Sequence, residues 1–311
     1  MTTARLSIII PTYNYANTLE RAVLSVCKQM DEETEVIIVN DGSTDNTADV
    51  LLSLQQKLNG KIKVFDKMNG GAASARNLGI VNSTGDYFIF LDADDEMAEN
   101  GINQIREHLK QHNSSKFIIG GHTSVFPSGK RKLHKPSALP AQPIAKLKAY
   151  LIDKTLSLSN GACLMHKSIF NELVYPECFR NSEDIPIFAH AIANFECSII
   201  NAPLANIYKH DDSLRHNVVH TENAGLQLVE AVFSPDRISA ELQVLKKPFF
   251  VQRLLSLSRV SHEAGMHQNA AIYYQQALQV NWQVLFKWSY TKKYLKSKLT
   301  LLYFTSINHK I

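Results

Sequence analysis

The segment 85–95, GDYFIFLDADD, most constrains what this chain can fold into. It contains five consecutive apolar or aromatic residues, Tyr87 to Leu91, a run typical of a strand buried on both faces. Three carboxylates follow at Asp92, Asp94 and Asp95, and buried negative charge is costly unless a cation or polar ligand meets it. Two carboxylates separated by one residue suit a hard divalent cation. An acidic turn that caps the next helix is the alternative.

The composition is that of a globular protein, with 45% hydrophobic and 20% charged residues. The chain of 311 residues can hold one large domain, or a domain with an appendage. A formal charge of +4 does not indicate nucleic-acid binding. Four cysteines without regular spacing argue against a zinc site or a disulfide framework, and for a reducing compartment. With no signal-peptide pattern and no run of 18 apolar residues, we expect a cytoplasmic chain without a membrane span.

Strand and helix patterns alternate through the first hundred residues. The strands are expected at Leu6 to Ile10, Val36 to Val39, Ile62 to Phe65, and the run ending at Leu91. Two of the helices between them are expected over about 17–29 and 72–81. This alternation predicts a parallel sheet with helices on both faces, in which ligands bind at the carboxyl ends of the strands. Polar residues follow all four strands: Tyr13 and Asn14, Asp41, Asn69 to Arg76, and Asp92 to Asp95.

The pattern changes after residue 100 and again near residue 222. Strands and helices are mixed over 101–222, and only helices are expected over 223–311. We therefore expect a domain over 1–222, made of the halves 1–100 and 101–222, and a helical extension over 223–311. Within the extension, Ala264 to Leu278 has the small-and-aromatic spacing of a helical hairpin. The tail, Phe286 to Phe304, reads as a basic, aromatic amphipathic helix that either lies on an anionic membrane or packs on the domain with solvated lysines.

Five linked motifs carry a family resemblance. They are SIIIPTYN at 7–14, VNDGSTD at 39–45, NGG at 69–71 with ARNLG at 75–79, GDY at 85–87 and LDADD at 91–95. In this order and spacing the chain resembles family 2 glycosyltransferases, with a further match at Glu183-Asp184. The resemblance implies an inverting, nucleotide-sugar-dependent enzyme with the α/β GT-A fold. That fold has a mainly parallel sheet flanked by helices, with a Rossmann-like nucleotide-sugar-binding half, here 1–100, and an acceptor-binding half, here 101–222.

The resemblance also implies which residues hold the donor. These are Pro11, Thr12, Tyr13, Asn14, Asp41, Asn69, Arg76, Asp92 and Ala93. Asp41 resembles the residue that accepts a hydrogen bond from the base, and it also fits an Asx-turn. Tyr13 would stack on the base, unless it is a core tyrosine. Arg76 looks like a phosphate or ribose contact, with a surface salt bridge as the alternative.

A metal and a base complete the implied site. By the family pattern Asp94 ligates Mn²⁺ or Mg²⁺, and Asp92 contacts the ribose or the metal, while Asp95 is a second ligand or a helix cap. His210 stands in the place of a late family motif, where it would touch the diphosphate or the metal. The cation would stabilise the leaving diphosphate. Inversion needs a carboxylate that takes the proton of the attacking hydroxyl. Asp184 resembles that base, Glu183 is the alternative, and a carboxylate there also suits a helix start.

The expected function is transfer of a sugar from a nucleotide diphosphate sugar, with UDP favoured, to a hydroxyl of a glycan or lipid-linked acceptor. Bacterial lipopolysaccharide, capsule or exopolysaccharide synthesis at the inner face of the plasma membrane fits such an enzyme. A catalytically inactive sugar-nucleotide-binding or scaffold protein is one alternative. A nucleotidyltransferase is another, but it would carry a glycine-rich loop with arginine where Pro11 to Asn14 stand. A Rossmann dehydrogenase would need G-x-G-x-x-G after the first strand, and none is present.

Overall fold

The structure is a computed structural model that describes residues 4–171, 173–210 and 225–308, with side chains described to residue 302 in the last helix. The chain divides into two compact units, Met1–Asp212 and Ser213–Ile311. The boundary expected at residue 222 lies outside the described residues.

The first half of unit one is built by alternation of strand and helix. Its elements are β1 (Leu6–Thr12), α1 (Leu19–Cys27), β2 (Thr34–Asn40), α2 (Thr47–Leu58), β3 (Ile62–Asp66), α3 (Ala72–Val81) and β4 (Tyr87–Phe90). The four strands are parallel in the order β3-β2-β1-β4. Every residue of β1, β2 and β4 is buried, which explains their continuous apolar runs. The predicted parallel arrangement is confirmed here, although α1 is shorter at both ends than the expected 17–29.

The second half of unit one adds strands in both directions. Its elements are β5 (Glu96–Met97), α4 (Gly101–Gln111), β6 (Phe117–Val125), β7 (Arg131–His134), α5 (Pro143–Lys148), β8 (Cys163–His166), α6 (Asp184–Asn194) and β9 (Cys197–Tyr208), with short single-turn helical segments at 149–153, 160–162 and 167–170. The sheet order continues from β4 as β8-β6-β9-β5, and β7 pairs with β6. β8 is antiparallel to β4 and β6, whereas β9 is parallel to β6. The whole sheet is therefore mixed.

Close packing fixes how α3 lies on the sheet. A Cβ at Gly79 would collide with the side chain of Ile9 in β1, so glycine allows the helix axis to approach the strand. Arg76 lies one turn earlier on the same helix and is only 4% exposed. The tight contact therefore aims a buried guanidinium towards the strand ends.

The second unit is helical wherever the structure describes it. Its helices are α7 (Gln227–Val232), α8 (Lys246–Glu263), α9 (His267–Val280) and α10 (Trp288–Asn308), with single-turn segments at 240–245 and 282–286. α8 and α9 form the expected hairpin, with Leu254, Leu255, Tyr274 and Ala277 in its core. α10 joins them through a ring stack between Tyr274 and Tyr294, whose centroids are 4.4 Å apart. Within the described ranges, no helix is both long and apolar enough to cross a bilayer.

Candidate functional site

The loops after β1 and β2 are tied to each other at the carboxyl edge of the sheet. Asn14 has φ of 60°, in the left-handed region that asparagine tolerates. Its Oδ1 accepts the N–H of Thr44 at 2.7 Å, so one side chain joins both loops. Pro11 and Thr12 are buried as the last residues of β1, whereas Tyr13 is 43% exposed. Of these four predicted donor contacts, Tyr13 and Asn14 therefore present side chains at the open edge.

Asp41, at the end of β2, is already well partnered. Its Oδ1 accepts from Nζ of Lys67 at 2.8 Å and from the N–H of Gly70 at 2.9 Å. Its Oδ2 accepts from the N–H of Gly71 at 2.7 Å, and the residue is 2% exposed. Gly71 has φ of 93°, a conformation that glycine adopts without strain. The Asp41 carboxylate thus shapes the Asn69-Gly70-Gly71 loop, and its role in base recognition stays a prediction.

The acidic residues after β4 have too little positive charge around them. Asp95 is 5% exposed, and burial together with the charges of Asp92 and Asp94 raises its pKa to about 8. Its Oδ1 accepts the N–H of Tyr208 at 2.8 Å, so this carboxyl anchors the end of β9. Asp92 opens to solvent on one side, with its side chain 44% exposed. Burial of its other side and the charge of Asp94 raise its pKa, against the lowering effect of Arg76. Ala93, between them, is buried.

His210 meets the expected metal ligand directly. Its Nε2 lies 2.6 Å from Oδ2 of Asp94, which brings two of the three predicted metal residues into contact. Within the described ranges, no group of three His, Cys, Asp or Glu side chains forms a complete metal cage. Magnesium is usually held by one or two carboxylates plus substrate phosphates rather than by such a cage. Asp92, whose carboxylate shares the Arg76 guanidinium with Glu183, and Asp94, whose carboxylate contacts the His210 imidazole, therefore fit a cation that arrives with a diphosphate.

Arg76 links the loop after β4 to the segment expected to carry the base. Its Nη2 donates to Oδ1 of Asp92 at 3.0 Å, and its Nη1 to Oε1 of Glu183 at 2.5 Å. Its guanidinium carbon lies 5.4 Å from the centroid of the Tyr175 ring. The nearby carboxylates of Glu183 and Asp92 raise the pKa of Arg76 against the effect of burial. Arg76 is thus a fixed, buried cation between two carboxylates, with two of its nitrogens committed to the protein.

Asp184 begins α6, and Glu183 precedes it at the N-cap. Burial and the neighbouring charge of Glu183 raise the pKa of Asp184 to about 7, with Arg76 offsetting part of the rise. A carboxyl poised there can hold or release a proton near neutral pH, as a general base requires. Glu183 is engaged by Arg76, whereas the Asp184 side chain forms no ion pair with any of the described residues. The two carboxylates are adjacent in sequence but have different surroundings in the structure.

Comparison with known proteins agrees with these features. The sequence profile of glycosyl transferase family 2 matches residues 7–174, more than half of the chain. The chain belongs to glycosyl transferase family 2. A glycosyltransferase of Rickettsia felis that has not been characterised is 36% identical over 188 residues, which cover 58% of this chain and 30% of that protein. The chondroitin synthase of Pasteurella multocida is 41% identical over 123 residues, or 40% of this chain and 13% of that protein. The alignments thus span a third or less of these longer relatives.

The family member shares its fold with a solved glycosyltransferase. A crystal structure of Staphylococcus aureus TarS residues 1–349, in complex with UDP-GlcNAc, matches with a TM-score of 0.67 at 17% identity. The match covers 94% of this chain and 89% of that one. The GT-A fold expected from the motifs is thereby confirmed.

Four residues of this glycosyltransferase contribute to the site although the sequence did not single them out. Nη2 of Arg21 donates to the carbonyl of Asp94 at 2.5 Å, and the guanidinium lies 3.7 Å over the Tyr208 ring. The others are Tyr15, whose pKa is raised by burial and by the acidic cluster, Lys67 on Asp41, and Arg180, which donates to Asn69. Arg21, Lys67 and Arg180 lie 73, 26 and 111 residues along the chain from the residues they contact, so no local pattern signals these pairs.

Proposed function

We propose that this chain is an inverting glycosyltransferase that moves a sugar from a nucleoside diphosphate sugar to a hydroxyl of a glycan or lipid-linked acceptor. In this proposal residues 1–100 bind the donor, residues 101–222 bind the acceptor, and Asp184 is the base. The supporting observation is the chain of contacts from Asp92 through Arg76 to Glu183, with distances of 3.0 and 2.5 Å. Through Arg76, which lies 107 residues before Glu183 in the chain, it brings the loop of Asp92 and the base segment together.

The roles of the two carboxylates at 183 and 184 follow from their surroundings. Glu183 is held by the Arg76 guanidinium, so its carboxylate is engaged in an ion pair. Asp184, with its pKa raised to about 7, takes the proton of the acceptor hydroxyl as that oxygen attacks the anomeric carbon from the face opposite the leaving diphosphate. General-base catalysis of this kind contributes about 10²–10⁴-fold to a rate.

Asp94 and Asp92 would hold Mn²⁺ or Mg²⁺, with His210 oriented against Asp94 at 2.6 Å. When bound, the ion would neutralise charge that builds on the departing diphosphate. The protein's own contribution is to keep the Asp94 loop in place. Arg21 does this by donating to the Asp94 carbonyl and stacking on Tyr208, while Asp95 fixes β9 through the Tyr208 N–H.

The resemblance implies a phosphate or ribose contact for Arg76, and we propose that the diphosphate contact is made by Arg180. Arg76 is buried and paired twice, whereas Arg180 is exposed beside the Asn69-Gly70-Gly71 loop. Its Nη1 donates to Oδ1 of Asn69 over 3.3 Å, a weak contact that leaves most of its donors available. We expect Arg180→Gln to raise the KM for donor several-fold while the thermal midpoint stays unchanged, which steady-state kinetics and thermal shift together would measure.

A uridine diphosphate sugar is the favoured donor. The likeness to TarS, solved with UDP-GlcNAc, supports this choice. The bacterial origin of the matched relatives supports a place in surface glycan synthesis, such as lipopolysaccharide, capsule or exopolysaccharide. A lipid-linked acceptor would place the enzyme at the inner face of the plasma membrane, and the basic tail supports a peripheral association there.

The deciding experiment is a thermal-shift screen of nucleoside diphosphates and their sugars, with and without MnCl₂, followed by assays of donor hydrolysis. A ligand at 100 times its Kd stabilises the folded state by about 2.7 kcal/mol, so a specific nucleotide gives a clear shift. We expect UDP to stabilise the protein only weakly without metal and strongly with it. Asp94→Asn should lose the metal-dependent part, while the exposed matched control Asp49→Asn should keep it.

Two results would contradict the proposal. If no nucleoside diphosphate stabilises the protein, with or without metal, the proposed donor site is wrong. Nucleotide binding without any donor turnover or acceptor transfer would instead favour a sugar-nucleotide-binding protein that has no catalytic activity.

A further inference from the structure

The outward face of α10 carries an apolar stripe. Trp288, Leu295, Leu299 and Leu302 recur at intervals of three, four and seven residues, so they lie on one side of the helix. Their exposed fractions are 67, 48, 68 and 65%. Four large apolar side chains in a row at this exposure are unusual on a helix that already has another face packed in a core.

A different face of α10 is held firmly by α8 and α9. The hydroxyl groups of Thr291 and Tyr274 lie 2.7 Å apart, and Oγ of Ser297 lies 2.7 Å from Nδ1 of His262. Tyr294 stacks on the Tyr274 ring. These contacts fix the rotation of the helix about its axis. The stripe therefore faces outward as a property of this unit's own packing.

Three further exposed apolar residues precede α10 in the sequence. Trp282, Leu285 and Phe286 are 64, 47 and 77% exposed. The Trp282 and Phe286 rings meet edge to face, with centroids 5.8 Å apart. Tryptophan and phenylalanine at a polar–apolar boundary are typical of segments that insert into the headgroup region of a membrane.

The charge around the stripe decides which partner it suits. Residues 264–311 contain six lysines, no arginine and no acidic residue. By helical periodicity Lys292 and Lys296 border the stripe on one side and Lys298 borders it on the other. A second copy of the same face would bring these cations together, which is unfavourable, whereas an anionic lipid surface complements them. Lysine stems also lie along apolar surface while their ammonium groups reach outward.

We propose that the stripe of α10 and the aromatic residues 282–288 form a docking surface for an anionic lipid bilayer. The helix lies in the plane of the interface, with Leu295, Leu299 and Leu302 below the headgroups and the lysines among the lipid phosphates. This inference rests on the membrane association in the proposed function and assigns it to specific residues. It does not depend on the donor site, so the two can fail separately.

The two tryptophans of the chain make the test direct. Trp282 and Trp288 are the only tryptophans, so tryptophan fluorescence, excited selectively over that of tyrosine, reports on this surface alone. The full-length protein is titrated with vesicles of phosphatidylcholine containing about 30% phosphatidylglycerol, and with vesicles of phosphatidylcholine only. Brominated lipids in the anionic vesicles measure depth by quenching, and sedimentation measures the bound fraction. We expect a blue shift, quenching and co-sedimentation with the anionic vesicles, reduced by added salt because the lysine contribution is screened.

Two matched triple variants test whether vesicle binding requires this surface or only the presence of exposed apolar residues. Leu295→Ser with Leu299→Ser and Leu302→Ser should lower the partition coefficient more than about tenfold, since insertion scales with buried apolar area. The control replaces Leu52, Val244 and Ile272, which are 59, 64 and 42% exposed elsewhere, with serine and should bind as the wild type does. All six positions are exposed, so both variants should retain the wild-type thermal midpoint and the stabilisation by UDP with manganese.

Three outcomes would overturn the proposal. The first is binding to neither vesicle by a wild type that still binds UDP. The second is equal binding by the wild type and the stripe variant. The third is a concentration-dependent dimer, seen by sedimentation velocity without lipid and lost in the stripe variant, which would assign the face to a second copy of the chain.

Discussion

The loops after β2 and β4 both place aspartates at the same edge of the sheet, yet their surroundings differ. Asp41 receives a lysine and two backbone N–H groups, so its charge is compensated within the protein. Asp92, Asp94 and Asp95 crowd together, and burial together with their mutual repulsion raises the pKa values of Asp92 and Asp95. The first loop is complete without a ligand. In the second loop the repulsion between the carboxylates is unfavourable, and a cation bound with its diphosphate would relieve it.

This contrast shows that residue type alone does not assign a role at a strand end. The role of such a carboxylate depends on the number of counter-charges within its reach. The Asp92 carboxylate accepts from Arg76, whose guanidinium also serves a second carboxylate. The Asp94 carboxylate contacts the His210 imidazole. The Arg21 guanidinium reaches only the backbone carbonyl of Asp94. Buried or crowded charge is retained at a cost to stability, which is typical of functional sites.

Asp94→Asn tests the contrast with the largest expected effect. We expect transfer to fall by about three orders of magnitude or more, because the metal loses its principal ligand. The thermal midpoint without metal should not fall, since the substitution removes one of the crowded charges and its amide oxygen can still meet His210. Transfer assays and thermal denaturation measure both effects, with Asp49→Asn as control. A folded variant that retains most of its activity with manganese would show that Asp94 is not the ligand.

Asp184→Asn should have the second-largest effect on the rate, and it should also change how the rate depends on pH. A base with a pKa of about 7 must be deprotonated to act, so the wild-type rate should rise with pH and level off above 7. The variant should lose about 10²–10⁴-fold, and its residual rate should not show that inflection. The measurement is the pH dependence of kcat for both proteins.

The same carboxyl has the opposite effect on stability. Its pKa is raised relative to the unfolded value of about 3.9, so the folded state holds the proton more tightly. The stabilisation from the protonated form is complete below pH 4 and is lost as the pH rises towards 7. Denaturant unfolding at several pH values should show a shallower decline over that interval in Asp184→Asn. Superimposable pH profiles of the two proteins, in rate and in stability, would remove Asp184 as the base.

Much of the first half of unit one could be predicted from the sequence because its signals are local. The buried runs at Leu6 to Ile10 and Tyr87 to Leu91 mark central parallel strands, and α3 has the predicted bounds of Ala72–Val81. Parallel strands place their ends at one edge, so the loop residues could be brought together without knowing any contact.

The counter-charges could not be predicted in this way. Arg76 meets Glu183 over 107 residues, and Arg21 meets Asp94 over 73. These pairs depend on where α6 and α1 lie relative to β4, and on the antiparallel insertion of β8 between β4 and β6. Side-chain periodicity fixes which face of a strand is buried but not which distant strand pairs with it. The sequence therefore predicts a phosphate or ribose contact for Arg76, whereas the two carboxylates that its nitrogens meet in the structure have no signal in the local pattern.

Arg76→Gln probes the link between the two halves of the site. It should lower the free energy of unfolding by about 3–5 kcal/mol, because the Glu183 carboxylate, only 11% exposed, is left without a cation. Lysine should restore the charge but not both contacts, since it lacks the planar fork. The double variant Arg76→Gln with Glu183→Gln should recover part of the loss, which a double-mutant cycle by urea unfolding measures. The control is the exposed Arg259→Gln, and equal stability of Arg76→Gln and this control would contradict the role.

Asp41→Asn should have the smallest effect of the series. The carboxylate accepts from one ammonium and two backbone N–H groups, and hydrogen bonds to a charged group are worth about 1.5–3 kcal/mol. An amide keeps one acceptor oxygen, so we expect a loss of stability within that range and a modestly weaker response to UDP. If Asp41 only shapes the loop, UDP and GDP should weaken alike, because both need the Gly70-Gly71 turn. If it also reads the base, the variant should lose the preference for UDP over GDP, and the thermal-shift ratio of the two nucleotides separates these outcomes.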